Sequence, residues 1–171
     1  MDNSLGILYL SVLLGFLAIV AGFVIRQIFK TRQLENQLSK LQKKINSDKA
    51  SPQDYYELGS IYLDKKLYSQ SVQMFQRALK FKDLENENLA LIYNALGFAY
   101  AALEQYDIAI RQYKQALKFQ EDYVVAWNNL GYSYERKTLT VQALEAYENA
   151  LKYEPNNETA KIRSSSLRKR V

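Results

Sequence analysis

The chain has 171 residues and a formal net charge of +5 at pH 7, and it contains no histidine and no cysteine. This composition removes the commonest general base, the thiolate nucleophile and nearly all zinc, haem and iron–sulfur ligands. None of its six glycines belongs to a phosphate-binding loop. We therefore predict that the protein is not an enzyme and has no catalytic residues, no metal site and no cofactor.

The first element is a predicted transmembrane anchor, residues 1–25. Leu5 to Ile25 form a run of 21 residues without a charge. As a helix this run is about 31 Å long, which matches the hydrocarbon core of a bilayer. A cleaved signal peptide is the alternative, but no basic region precedes the run and no small-residue cleavage site with a polar flank follows it. An uncleaved single span is the preferred interpretation.

Charge around the span predicts its orientation. Asp2 precedes the span, whereas Arg26, Lys30 and Arg32 follow it directly. Because basic residues stay on the cytoplasmic side, the rest of the chain should face the cytoplasm, or the stroma in a plastid. Small residues also repeat along the span at a spacing that allows close helix contact. They are predicted to dock a partner helix, and they are Ser11, Gly15, Ala18 and Gly22.

Residues 26–50 are predicted to form a basic helical stalk. Residues 26–49 hold seven basic and two acidic side chains, a balance of +5 that suits anionic lipid headgroups. Leu34, Leu38, Leu41 and Ile45 form a short apolar seam within the stalk. This seam either leans on lipid or on the first hairpin, or it joins two copies in a homodimer.

A repeated pattern of side chains occupies residues 51–157. One repeat contains Trp127, Leu130, Gly131 and Tyr134. The same pattern, with tyrosine in place of the tryptophan, occurs 34 residues earlier and again 38 residues before that. Their spacing places them on one face of a helix, and each repeat contains a second apolar helical segment. We therefore predict three helical hairpins, at residues 52–89, 90–123 and 124–157. The repeat-packing residues are Tyr55, Gly59, Tyr93, Gly97, Trp127 and Gly131.

Local signals mark the two ends of this array. Ser51, Pro52 and Asp54 predict a capped helix start. Ser71 replaces the alanine of the other repeats, and four extra residues lengthen the first connection, so the first hairpin should be the loosest. Residues 158–171 hold five basic residues and one acidic residue. We predict a basic capping helix there that packs through Ala160, Ile162 and Leu167.

The repeat pattern resembles the tetratricopeptide repeat. This resemblance implies an all-α fold, with the three hairpins stacked in a right-handed solenoid whose first helices line a concave groove. Residues one, five and eight places after the large first-helix residue are expected to face that groove. The predicted peptide contacts are Tyr56, Ser60, Asn94, Phe98, Asn128, Tyr132 and Glu135. Repeat domains that hold the carboxyl termini of chaperones have lysines and an arginine in their grooves. This chain lacks that set at these positions, which disfavours such ligands.

The balance of 11 basic and 14 acidic residues over residues 52–157 argues against nucleic-acid binding, since the basic charge is confined to the two ends. The architecture is similar to that of small plastid and cyanobacterial tetratricopeptide repeat proteins implicated in photosystem I assembly. That resemblance implies a thylakoid membrane protein with its repeats in the stroma or cytoplasm. Its partners would be photosystem I subunits or assembly intermediates and membrane lipid. The alternative is a receptor or adaptor for protein import or envelope-complex assembly in a mitochondrion or bacterium.

Overall fold

The computed structural model describes residues 3–170, and side chains from residue 6 onward. Eight α-helices, and no strands, occur in this part of the chain. The all-α prediction is confirmed. The helices are α1 (Asn3–Asn46), α2 (Pro52–Asp64), α3 (Tyr68–Ala78), α4 (Asn86–Ala102), α5 (Tyr106–Phe119), α6 (Val124–Arg136), α7 (Thr140–Tyr153) and α8 (Glu158–Arg168).

Two compact units divide the chain between Lys43 and Lys44. The first unit is the greater part of α1, a single continuous helix of 44 residues. Its amino-terminal part is apolar and exposed, and Gly6–Asn46 contains a window long and apolar enough to cross a membrane. The anchor and stalk predicted from the sequence are therefore parts of one helix. The side chain of Leu41 is buried, and Leu34, Leu38 and Ile45 are half-buried.

The second unit is a stack of helical hairpins in which α2 pairs with α3, α4 with α5, and α6 with α7. Each pair closes around a glycine that faces an aromatic ring. A Cβ atom added to Gly97 would lie 2.7 Å from the ring of Tyr113, and one added to Gly131 would lie 2.8 Å from that of Tyr147. Both rings are almost completely buried. Glycine is thus required because the ring occupies the space of a side chain.

The turn inside each hairpin has the same backbone hydrogen bonds. In the third hairpin, Leu139 N donates to Tyr134 O at 2.9 Å and Thr138 N donates to Glu135 O at 2.9 Å. This is the Schellman arrangement, which needs a left-handed residue after the helix. Lys66, Glu104 and Thr138 take that conformation, with φ near 60°. None of them is glycine, so the residue types at these positions do not predict the left-handed turns.

The start of α2 has the predicted capping box. Ser51 Oγ accepts from Asp54 N at 3.2 Å, and Ser51 N donates to Asp54 Oδ2 at 2.9 Å. Pro52 occupies the first helical position, where its missing N–H costs nothing. Lys44 Nζ donates to Asp54 Oδ1 at 2.6 Å.

Two features, one in the first hairpin and one at the start of the second, differ from expectation. Ser71 is completely buried and donates to Gly59 O at 2.8 Å, so this serine adds a hydrogen bond between α3 and α2. The four extra residues lengthen a helix instead of a loop, because α4 has 17 residues where α2 and α6 have 13. The insertion therefore gives α4 about one additional turn.

The capping helix α8 packs on α7 through a different set of residues from the one predicted. Ala160 and Leu167 are buried as expected, but Ile162 is 69% exposed. Ser164 is buried in its place. The reason is helical spacing: positions 160, 164 and 167 lie on one face of α8, whereas position 162 lies on the opposite side. The prediction for Ile162 was wrong, and its side chain is left free of the core.

Candidate functional site

The first helices of the hairpins and the capping helix form one layer, which we call the inner row: α2, α4, α6 and α8. Asn129 on α6 donates to Asn94 Oδ1 on α4 at 3.0 Å. Asn128 donates to Asn157 Oδ1, the N-cap of α8, at 3.1 Å. These hydrogen bonds between side-chain amides join neighbouring helices of the inner row. The remaining helices, α3, α5 and α7, form the outer row.

Four exposed apolar side chains lie on the inner row. Phe98 on α4 is 49% exposed and Tyr132 on α6 is 41% exposed. Val125 on α6 and Ile162 on α8 are exposed as well. Of these four, the sequence predicted Phe98 and Tyr132 as groove contacts. It missed Ile162, although that residue lies 34 positions after Asn128 and so occupies the equivalent place in the repeat.

The predicted polar contacts are mostly bonded within the protein. Asn94 donates to Tyr123 Oη at 3.3 Å and accepts from Asn129. Ser60 Oγ donates to Tyr56 O at 2.9 Å. Asn128 Oδ1 is buried and has no hydrogen-bond donor among the described residues. The amides predicted to bind a peptide backbone thus serve mainly to link the helices of the inner row.

Glu135 lies at the far end of α6 and connects three elements. It accepts from Tyr147 Oη on α7 at 2.6 Å, and Arg163 on α8 lies 3.6 Å from its other carboxylate oxygen. Burial, followed by the hydrogen bond to Glu135, raises the pKa of Tyr147 above its usual range. Tyr147 is therefore a neutral donor at physiological pH. The carboxylate is held in place by the fold, which limits its freedom to bind a ligand.

The tyrosines predicted for repeat packing make aromatic contacts within their own hairpins, and the tryptophan contacts the connection that precedes its helix. Tyr93 stacks on Phe119 with ring centroids 5.7 Å apart, and Tyr55 lies 5.9 Å from Phe81. Trp127 Nε1 donates to Glu121 O at 2.8 Å, which fixes the indole against the preceding connection. Tyr56, a predicted groove contact, is half-buried with its ring 5.7 Å from that of Phe75.

The small residues of the predicted membrane seam are exposed on α1. Ser11 Oγ bonds back to Leu8 O at 2.8 Å, as serine does in an apolar helix. A Cβ atom added to Gly15 or Gly22 would meet nothing within 4 Å. Ala18 is exposed too. The seam is available, and its role in helix docking stays a prediction.

Comparison with known proteins places the chain in a family. Models of the tetratricopeptide repeat match residues 54–122 and 124–157. The ycf37 protein of Cyanophora paradoxa is 39% identical over 167 residues, covering 98% of this chain and 97% of that protein. The chain belongs to the ycf37 family of tetratricopeptide repeat proteins. The predicted family resemblance is confirmed.

A longer relative occurs in a land plant. The chloroplastic tetratricopeptide repeat protein PYG7 of Arabidopsis thaliana is 39% identical over 170 residues, which cover 99% of this chain and 56% of PYG7. Among solved structures, the protein named MamA superposes with a TM-score of 0.75 at 19% identity, covering 82% of this chain and 80% of its own. At that identity the likeness concerns the fold alone. The repeat matches and the plastid relatives identify this chain as a protein-interaction scaffold of the plastid-type family.

Proposed function

We propose that this protein is a membrane-tethered scaffold that binds protein segments in the groove of its inner row, and so assists assembly or stability of photosystem I at the thylakoid membrane. The exposed apolar side chains of the inner row are the observation that carries the binding role. Phe98 and Tyr132 stay in water in the free protein, so covering them on binding is favourable.

Further observations support the proposed membrane attachment and the proposed link to photosystem I. One apolar helix at the amino terminus has the length and composition of a span. The closely similar PYG7 is chloroplastic. The small plastid and cyanobacterial proteins that the chain resembles are implicated in photosystem I assembly. The same family membership favours this role over an import receptor in a mitochondrion.

The proposed topology has the repeats on the stromal or cytoplasmic side of the membrane. Basic residues follow the span directly, and this asymmetry favours retention on that side. The basic stretch of residues 26–49 is suited to anionic lipid headgroups. On that side the repeats would be accessible to stromal segments of membrane-embedded partners.

The test is photosystem I content in strains that differ only in this gene. We expect deletion, and the double change Phe98→Ala and Tyr132→Ala, to lower photosystem I per chlorophyll, measured from its light-induced absorbance change. Both side chains are exposed, so the double variant should fold. Val141→Ala on the outer row, which truncates a similarly exposed side chain, is the matched control. Normal photosystem I in the deletion strain would refute the proposed role.

A further inference from the structure

The charge along the groove changes from acidic at α2 to basic at α8, and exposed apolar side chains lie between these ends. Two rows of equivalent repeat positions cross the inner row from α2 to α8. The row two places after the large residue contains Glu57, Ala95, Asn129 and Arg163, and the row nine places after it contains Asp64, Ala102, Arg136 and Arg170. Both rows begin with an acid on α2, are uncharged on α4 and end with arginine on or just after α8.

Whole helices of the inner row follow the same gradient. Three acidic residues and no basic ones on α2 give a formal charge of −3, and Glu87 alone gives −1 on α4. One acid and one base cancel on α6, and three bases against one acid give +2 on α8. Ion pairs offset part of this charge at both ends. Lys44 pairs with Asp54 on α2, and on α8 Arg163 pairs with Glu135 and Arg168 with Glu148. Glu57 and Asp64 are both exposed, so the acidic end is open to a partner.

The side-chain amides of the inner row already form hydrogen bonds within the protein, and this restricts the backbone conformation of a bound segment. An extended peptide leaves its backbone groups unpaired and needs partners in the groove. Asn94, which was expected to supply one, is bonded to Tyr123 and Asn129. Asn128 donates to Asn157, and its unbonded Oδ1 is buried, out of reach of a peptide backbone. An occupant that satisfies its own backbone makes no such demand. An α-helix does this, and it can offer one apolar face to Phe98 and Tyr132.

We propose that the groove binds an amphipathic α-helix of a partner protein, which lies across the inner row with its basic end over α2, its acidic end over α8 and its apolar face on Phe98 and Tyr132. This inference rests on the proposed binding function and specifies its ligand. Packed helices lie about 9 Å apart, so crossing from α2 to α8 takes about 27 Å, or about 18 residues of helix. Phe98 and Tyr132, on adjacent helices of the row, would contact residues about two turns apart.

The experiment measures binding of synthetic labelled peptides to the full-length protein in detergent by fluorescence anisotropy. The probe is a stapled helix of about 18 residues with a Leu and Phe stripe on one face, Lys in one terminal turn and Glu in the other. One control has the same composition with Lys and Glu interspersed. The other is unstapled and has two central prolines, which prevent a helix.

We expect the stapled probe to bind about tenfold more tightly than either control, a difference of about 1.4 kcal/mol. Phe98→Ala should weaken that binding about tenfold, and Val141→Ala should leave it unchanged. Reversing the acidic end with Glu57→Lys and Asp64→Lys should remove the preference over the interspersed control, since the probe would lose its charge partner.

Equal binding of the proline peptide and the stapled probe, both weakened by Phe98→Ala, would overturn the helix proposal and leave the groove as a site for extended segments. No binding of the stapled probe would also overturn it. The proposed function fails separately, if strains carrying Phe98→Ala and Tyr132→Ala contain normal photosystem I. The two proposals are therefore distinguishable.

Discussion

Asp54 accepts hydrogen bonds at both of its carboxylate oxygens. Its side chain is about one-tenth exposed, accepts from Lys44 Nζ and binds both the backbone N–H and the hydroxyl of Ser51. The hydrogen bond from Lys44, then that from the Ser51 backbone, lowers the pKa of this carboxyl group. Position at the start of α2 also favours its negative charge.

Stability should therefore depend on pH through Asp54. A lowered folded-state pKa means that the ionised group stabilises the fold fully above its unfolded pKa of about 3.9, and that this contribution is lost as pH falls toward the folded value. We expect Asp54→Asn to lower the free energy of unfolding by about 1 to 2 kcal/mol at pH 7. The difference from the unsubstituted protein should shrink as pH falls below about 4.

Urea denaturation of the detergent-solubilised protein between pH 7 and pH 3 measures this. Asp107→Asn is a suitable control, because Asp107 is exposed and its ion pair with Lys137 lies at the surface. A constant difference between Asp54→Asn and the unsubstituted protein across the whole pH range would contradict the assignment.

Thr138 stores backbone strain in the turn of the third hairpin. It is β-branched and has φ of 59°, a conformation that costs a residue with a Cβ about 1 to 2 kcal/mol. We expect Thr138→Gly to raise the free energy of unfolding by about 1 kcal/mol, because removal of strain outweighs the added freedom of the unfolded chain. Thermal denaturation should show a higher Tm. Thr138→Ala, which keeps the Cβ, should not reproduce the gain.

At the scale of whole elements, α8 has two separable faces. Leu167 is 3% exposed and packs in the cluster with Tyr147 and Ala150, whereas Ile162 points away from the core. We expect Leu167→Ala to cost about 2 to 3 kcal/mol of stability and Ile162→Ala to cost under about 0.5 kcal/mol. Chemical denaturation of both variants measures the contrast. Equal losses would show that Ile162 is part of the core.

The sequence was sufficient for the helical hairpins because their signals are local and repeated. Gly59, Gly97 and Gly131 mark the close contact of each hairpin, and Ser51 with Asp54 marks the start of α2. The failures have separate causes. The prediction for α8 favoured the apolar Ile162 over Ser164, although helical spacing places Ser164 on the buried face. The extra residues before α4 were interpreted as loop, and the left-handed turns lack the glycine that would have revealed them.

The candidate site was predictable in position but less so in chemistry. Repeat offsets located Phe98 and Tyr132 on the inner row, where both are exposed. They could not show that Asn94 and Asn128 bond to other side chains, because those partners come from different helices. Tyr123 and Asn157 each lie 29 residues from the asparagine they bind. The change from a groove for extended peptides to a groove for a helix follows from those bonds.

At the scale of the molecule, three properties act together in the proposed function. In that proposal the apolar helix attaches the protein to a membrane, and the basic residues after the span orient it. The inner row then presents an apolar centre between an acidic and a basic end. Such attachment would confine the protein and its partners to one surface and so raise their effective concentration. Weak binding to a short groove is then sufficient for a role in assembly.

Site-specific photo-crosslinking in native thylakoid membranes can identify the proteins that lie on the inner row. A photoreactive amino acid replaces Phe98 on the inner row in one strain and Val141 on the outer row in another, and the cross-linked partners are identified by mass spectrometry. We expect position 98 to cross-link photosystem I subunits or assembly intermediates and position 141 to cross-link neither. Identical products from both positions, or products from position 98 that contain no photosystem I component, would contradict it.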